Sequence, residues 1–170
     1  MKRFFLLALA VPLTAACTQP TDMYQTAVIK SIDSNLCFSV ADTQETRKEA
    51  PTITAIAVDR FEGGQWTRVW QWLTPLTPAT RLGPGNCIAY GHQTAVDSVR
   101  ASPPPLRVGE RYGVEINSQI PNPSAKGDRM LGRMYGQEFC LRSLADGKVE
   151  VVLVPRTQGK LQWQQCELSP

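Results

Sequence analysis

The residues best equipped for chemistry in this chain are its cysteines, and Cys17 lies in surroundings unlike those of the other four. An uncharged, almost wholly apolar run over residues 4–13 follows a basic start, and Leu13-Thr14-Ala15-Ala16-Cys17 comes next. These are the parts of a secretory signal peptide, and the run is shorter than the roughly 20 residues that cross a membrane. Small residues directly before a cysteine form a lipobox, in which the cysteine sulfur attacks a lipid donor. We therefore expect residues 1–16 to be removed and Cys17 to become lipidated.

Removal of the signal peptide also changes the charge of the chain. The full sequence has 18 Lys and Arg against 15 Asp and Glu. Cleavage takes Lys2 and Arg3 away, so the mature chain has a formal charge of about +1, too small a field to argue for a nucleic-acid partner. Thr18 follows the lipidated position, where Asp is the usual signal for inner-membrane retention. The predicted location is therefore the outer membrane, with the chain anchored by its lipid and facing the periplasm.

Four further cysteines, Cys37, Cys87, Cys140 and Cys166, remain in the mature chain. An even number of cysteines in an oxidising compartment predicts disulfides, and their spacing matches no zinc pattern. Of the three possible pairings we favour Cys37–Cys87 with Cys140–Cys166, because each bond then stays within one half of the chain. Strand alternation puts all four on the less apolar faces, which predicts clips near the surface.

Residues for catalysis or for holding a cofactor are few. His92 is the only histidine, and it follows a glycine in a predicted turn, where a solvated side chain is the usual outcome. The sequence has no Gly-x-Ser-x-Gly, His-Glu-x-x-His or phosphate-binding glycine loop. Nothing selects one pair among the scattered carboxylates. We therefore predict a protein that is not an enzyme, with no catalytic residues, metal, cofactor or small-molecule substrate.

The elements that position these residues are predicted to be strands. No apolar period of 3.6 residues persists over ten residues, whereas short clusters rich in Val, Ile, Trp and Tyr alternate with turns. Strands are predicted at residues 24–31, 35–41, 52–60, 65–73, 86–90, 106–116, 137–144, 149–154 and 161–167. About nine strands separated by frequent turns favour an all-β fold, an antiparallel, immunoglobulin-like β-sandwich.

The domain organisation follows from the same patterns. Residues 1–16 form the signal peptide, residues 17–23 a lipidated tether, and residues 24–170 a single sandwich domain. Within that domain, Leu106-x-x-Gly109-x-x-Tyr112 precedes an alternating strand. This order predicts a tyrosine corner, in which the phenol of Tyr112 hydrogen-bonds to the backbone a few residues upstream.

Two features are candidates for binding a partner. On the strand 65–73, Trp66, Arg68, Trp70 and Trp72 share parity. Indoles beside a guanidinium can form a sugar platform or a protein-binding hot spot. The favoured interpretation puts Trp70 and Trp72 in the core and leaves Trp66 and Arg68 at the rim.

The second feature is the turn-rich segment 117–135, which is predicted to be a loop. It carries a local excess of positive charge through Lys126, Arg129 and Arg133, suited to an acidic partner surface. Loops of this length in a compact domain are either functional or mobile, and mobility is the favoured interpretation for any single residue in it. With Trp66, the three basic residues are the candidate partner-binding positions.

Several short motifs together resemble a known family. They are Asn35-x-Cys37-Phe38, Gly64-x-Trp66, Gly85-x-Cys87-Ile88 and Gly109-x-x-Tyr112-x-Val114. With the lipobox, the mature chain resembles the small periplasmic lipoproteins described as type VI secretion immunity proteins. The resemblance implies a protein that binds and neutralises a toxin delivered into the periplasm, and it transfers no binding residue position by position.

Two other functions are compatible with the same sequence. The chain could be a structural or assembly lipoprotein of an envelope machine, using its domain as an interaction module. It could also be an envelope carbohydrate-binding module that uses a face formed by Trp66 and Trp70. Gene neighbourhood separates the first two, because an adjacent toxin gene favours immunity and an apparatus operon favours assembly.

Overall fold

The computed structural model describes residues 23–32, 35–74, 77–93, 103–122 and 129–167. These residues form ten strands, one short α-helix and a C-terminal 3-10 helix. The strands are β1 (Tyr24–Ile32), β2 (Asn35–Val40), β3 (Thr52–Glu62), β4 (Gln65–Leu73), β5 (Ile88–Ala89), β6 (Arg111–Pro121), β7 (Met130–Ser143), β8 (Val149–Leu153), β9 (Arg156–Thr157) and β10 (Lys160–Leu161). Helix α1 is Gln44–Lys48, and the 3-10 helix is Trp163–Cys166.

One sheet contains eight of the strands and has β7 at its branch point. The strand order is β4-β3-β6-β7-β1-β2-β5, and β8 also pairs with β7. On the edge of β7 away from β6, β1 pairs in parallel from Tyr24 to Thr26 and then leaves to pair with β2. Further along that edge β8 pairs with β7, beginning at Phe139. Strands β9 and β10 form a separate small sheet.

The departure of β1 from β7 lets the sheet curl over a single core. The buried ring of Phe38 on β2 lies 6.1 Å from the ring of Trp70 on β4 and 6.4 Å from that of Phe139 on β7, between ring centroids. Neither strand is a hydrogen-bonded neighbour of β2. The β1-β2-β5 part of the sheet therefore packs against the β4-β3-β6-β7 part, with Phe38 between them.

The predicted all-β class is confirmed, and one of its details is corrected. The sheet is mixed, because β1 and β7 run parallel, whereas an antiparallel arrangement was expected. The eight strands form one continuous curled sheet, and the immunoglobulin-like sandwich stays a prediction. Alternation within a strand reports which residues face the core, but it does not report which strand lies beside it or in which direction.

Several predicted strand boundaries are wrong in an informative way. The segment 117–135 was expected to be a loop, but β6 continues to Pro121 and β7 begins at Met130. Its polar residues are accommodated by pairing: Ser118 is buried and its hydroxyl donates to the carbonyl of Arg133. In the other direction, the expected strand 161–167 gives way after Leu161 to the 3-10 helix.

The contact expected for a tyrosine corner is present at Tyr112. Its buried phenol oxygen accepts a hydrogen bond from the backbone N–H of Arg107 at 2.9 Å and donates to Oε2 of Glu110 at 2.6 Å. Burial raises the pKa of Tyr112 to about 12. The phenol is therefore neutral at physiological pH and fixes the chain that leads into β6.

Candidate functional site

Two disulfides fix the scaffold, and both follow the favoured pairing. Cys37 is bonded to Cys87 with a Cα–Cα distance of 5.5 Å, and Cys140 to Cys166 with a distance of 6.0 Å. The first joins β2 to the segment that leads into β5, and the second holds the 3-10 helix against β7. The expectation that all four lie near the surface is wrong for Cys37 and Cys140, which are buried, because the layer that covers each strand is supplied by distant parts of the chain.

A β-bulge in β4 decides which tryptophans meet solvent. Val58 on β3 pairs with Trp70, but the next residue, Asp59, pairs with Arg68, so Val69 is an extra residue on β4. The extra residue exchanges the two faces of the strand. Trp70 and Trp72 accordingly lie in the core, as favoured, whereas Trp66 and Arg68 lie on the opposite, outer face.

The shared parity predicted for the four residues is therefore broken, and Trp66 and Trp70 do not form one platform. The side chain of Trp66 is 44% exposed, while that of Trp70 is 7% exposed. A bulge leaves no mark in the alternation of this strand, since tryptophan suits both a core and an exposed aromatic site. Trp66 and Trp70 therefore cannot together form the carbohydrate-binding face that the sequence suggested.

Strand pairing arranges the outer face in rows across the sheet. The row through Trp66 contains Phe61 and Arg111 on the neighbouring strands. The next row, from β4 to β7, is Arg68, Asp59, Gly113 and Glu138. The row after that is Gln71, Ala57, Glu115 and Gly136. Two glycines on adjacent strands thus remove side-chain bulk from the middle of this face.

A groove with a volume of about 550 Å³ lies where the glycines leave space. Its lining includes Trp66 at one end and Tyr24 on β1, with Gly113 and Gly136 between them. A β-carbon placed on Gly113 would lie 3.3 Å from Cζ3 of Trp66, so the indole rests directly against this glycine. We call this the outer groove.

Charged residues line the outer groove in a defined order. Asp59 pairs with Arg68 at 2.5 Å, and Glu138 pairs with Arg156 at 2.5 Å. Glu115 accepts a hydrogen bond from Nδ2 of Asn117 at 2.9 Å. The hydrogen bond with Asp59 raises the pKa of Arg68. Burial lowers this pKa, whereas the negative charges of Asp59 and Glu115 raise it further. The groove thus combines aromatic walls with carboxylates.

An aromatic cluster adjoins the groove and is held by the second disulfide. The ring of Trp66 lies 5.0 Å from that of Phe61, and Phe61 stacks on Trp163 of the 3-10 helix at 6.2 Å. The guanidinium of Arg111 lies 5.3 Å from the centroid of the Trp163 ring, within cation–π range. The bond to Cys166 keeps the 3-10 helix on this face. Phe61, Arg111 and Trp163 do not stand out in the sequence, because pairing between distant strands and the second disulfide bring them together.

The structure gives two of the basic residues assigned to a displayed loop, Arg129 and Arg133, different surroundings. Arg133 lies within β7, and its side chain is only 11% exposed in an ion pair with Glu45 of α1 at 2.9 Å. That ion pair gives Arg133 a structural role in docking α1. Arg129 is exposed just before β7, and Lys126 lies outside the described residues, as does Cys17. A partner role for these residues stays a prediction.

Helix α1 lies between the predicted strands 35–41 and 52–60, where the sequence predicted no helix. Thr43 caps it, its hydroxyl oxygen accepting from the N–H of Thr46 at 3.2 Å, while the Thr46 hydroxyl accepts from the N–H of Thr43. This is a capping box with threonine in the position usually taken by Glu or Gln. A Thr-x-x-Thr signal is weak, which explains why the sequence did not reveal the helix.

The remaining candidates for chemistry are dispersed. His92 packs edge-on against Trp72, with ring centroids 4.8 Å apart. Among the described residues, no three His, Cys, Asp or Glu side chains are grouped to hold a metal ion. No helix in the described ranges is long and apolar enough to cross a membrane.

Comparisons of the chain with protein-family models, with curated proteins and with solved structures found no match. The function is therefore inferred from the residues of this chain and their geometry. Among the described residues, the outer face brings together several features suited to recognition. Exposed aromatic rings, a guanidinium and a groove lie together there on a covalently fixed sheet.

Proposed function

We propose that this chain is a lipid-anchored, periplasm-facing protein that binds and neutralises a protein toxin, as a type VI secretion immunity protein does. It acts by binding and without catalysis. The observation that carries the proposal is the outer groove with its adjoining aromatic cluster. Trp, Tyr and Arg are the residue types that dominate binding energy at protein interfaces, and Trp66, Tyr24 and Arg111 lie together on this face.

The scaffold beneath this surface suits an inhibitor. The groove lies on the central strands of the sheet, where backbone pairing fixes the positions of side chains. One disulfide holds the 3-10 helix beside it, and the other joins β2 to the segment that leads into β5. A surface that is already ordered loses little conformational entropy on binding. A preorganised surface of this kind favours the tight complex that neutralisation requires.

The toxin itself provides the main test of the proposal. In cells that lack both this chain and a toxin encoded beside it, we expect that toxin, directed to the periplasm, to stop growth. Expression of the wild-type chain should restore viable counts to those of cells without toxin. Trp66→Ala should protect less well, because it removes the aromatic wall of the groove, whereas Val149→Ala, at a similarly exposed residue on β8, should protect fully.

If cells without this chain survive the periplasmic toxin as well as complemented cells do, immunity is excluded. An envelope defect that follows deletion without any toxin would instead favour the assembly function. Viable counts on inducing plates and sensitivity to detergent measure the two outcomes in the same strains. Immunoblotting for each variant separates a weaker interaction from a lower protein level.

The lipid anchor is tested separately. Replacement of Cys17 with Ser removes the sulfur that forms the thioether, so we expect the protein to leave the membrane fraction. Fractionation with metabolic labelling by a palmitate analogue measures both the location and the lipid. The wild-type chain should be labelled and sediment with outer membranes. Persistence of labelled Cys17→Ser in the membrane fraction would contradict lipidation at this residue.

A further inference from the structure

We propose that the outer groove binds a cationic side chain, an arginine or lysine, of the protein partner. This inference rests on the proposed function and specifies the chemistry that the partner presents. The groove has three properties that suit such a side chain. They are an aromatic wall, a floor with glycine at two positions, and a carboxylate that makes no ion pair with a described residue.

The first two properties follow from the rows of the sheet. The indole of Trp66 lies against Gly113, so its ring forms one wall while the glycine keeps the floor clear. Gly136, diagonally adjacent on β7, extends the floor toward Tyr24 on β1. The methylene chain of an arginine or lysine can lie on such a floor with its charged group beside an aromatic ring. A volume of about 550 Å³ leaves room for one long side chain and its flanking backbone.

The third property is the charge of Glu115. Asp59 and Glu138 are each bound to an arginine, Arg68 and Arg156. Glu115 receives a hydrogen bond from Asn117 and lies close enough to Arg68 to act on it electrostatically, but it makes no ion pair with any residue that the structure describes. These three carboxylates and two guanidinium groups have a net charge of −1. A net negative charge complements a cation.

Other occupants fit less well. An apolar side chain would cover the Glu115 carboxylate without giving it a partner, and an unpaired buried charge is costly. An anionic group would face three carboxylates, two of which already neutralise the nearby arginines. A sugar ring would stack on Trp66, but the second indole that a platform would use, Trp70, lies on the other face.

The test uses small probes on the purified protein with its disulfides intact. Acetyl-arginine methylamide and acetyl-lysine methylamide carry the proposed cations, and acetyl-norleucine methylamide is the uncharged control of similar length. We expect the two cations to shift the backbone amide signals of Gly113 and Gly136 and the indole N–H signal of Trp66 in nuclear magnetic resonance spectra. Norleucine should leave these signals in place.

Two variants test the residues that carry the inference. Trp66→Ala removes the aromatic wall, and Glu115→Gln removes the charge while keeping the shape. Each should weaken binding of the cationic probes about three- to fivefold, the loss expected for one exposed cation–π or charge contact. Glu62→Gln is the matched control, because Glu62 lies on the same sheet in an ion pair with Arg60, away from the groove. This variant should bind like the wild type, and unchanged spectra elsewhere will confirm that each variant is folded.

Three results would overturn the inference: no shift with either cation, equal shifts with norleucine, or unchanged affinity in both variants. Shifts produced only by an oligomer of β-linked N-acetylglucosamine would assign the groove to carbohydrate instead. These outcomes are separate from the toxin assay. A groove that ignores cations in a chain that still protects cells would refute the inference and leave the immunity function standing.

Discussion

Replacing Phe38 with alanine is expected to lower the free energy of unfolding by about 3–5 kcal/mol. The side chain of Phe38 is fully buried, and its ring lies between the two parts of the curled sheet. It contacts Trp70, Phe139 and Tyr90, with ring centroids 6.1, 6.4 and 6.4 Å apart. Removal of the ring leaves a cavity that the paired backbone of β2 cannot close, because its hydrogen bonds hold the strand in place.

Urea denaturation followed by tryptophan fluorescence measures this loss. Ile32→Ala is the matched control, since Ile32 lies at the end of β1 and is 49% exposed, so the same kind of truncation should cost less than about 1 kcal/mol. Equal losses for the two variants would contradict the placement of Phe38 at the centre of the core. The slope of free energy against urea should stay the same, which would show that the denatured states are comparable.

Removing the Cys37–Cys87 disulfide by a double replacement with alanine is expected to cost about 4 kcal/mol. The bond closes a loop with a sequence separation of 50 residues, and the estimate follows from the chain entropy released in the unfolded state. Cys37 is also buried, so its loss removes packing from β2. The strand that carries Phe38 would therefore lose its covalent tie to the segment leading into β5.

The other disulfide supplies the comparison. Cys140 and Cys166 are separated by 26 residues, so chain entropy predicts a smaller loss of about 3.5 kcal/mol for their double replacement. Its main effect should be local, because Trp163 would no longer be held against Phe61. Thermal unfolding of both double variants, with and without reductant, gives the two losses. A larger loss for the shorter loop would show that strain or packing, and not loop length, decides the order.

The sequence by itself determined the features that depend on neighbouring residues. Alternation placed β1, β2, β3 and β4 within a few residues of their observed bounds, since the two faces of a strand differ in apolar character. The spacing of Gly109 and Tyr112 predicted the hydrogen bond of the tyrosine corner. The proximity of the cysteines along the chain led to the pairing that the two disulfides have. The signal peptide and Cys17 belong to the same class of local pattern, and they remain predictions.

Only the tertiary structure decided which surfaces exist. The bulge at Val69 turned Trp66 away from Trp70, and polar residues at the end of β6 became strand through pairing with β7. Arg133, which was predicted to lie in a loop, lies in β7 and forms an ion pair with Glu45, a residue 88 positions away along the chain. Register, bulges and strand order arise from backbone hydrogen bonds between distant segments. These bonds depend little on the types of side chain that they bring together. For that reason the pairing of the cysteines could be predicted from the sequence, whereas the groove beside Trp66 could not.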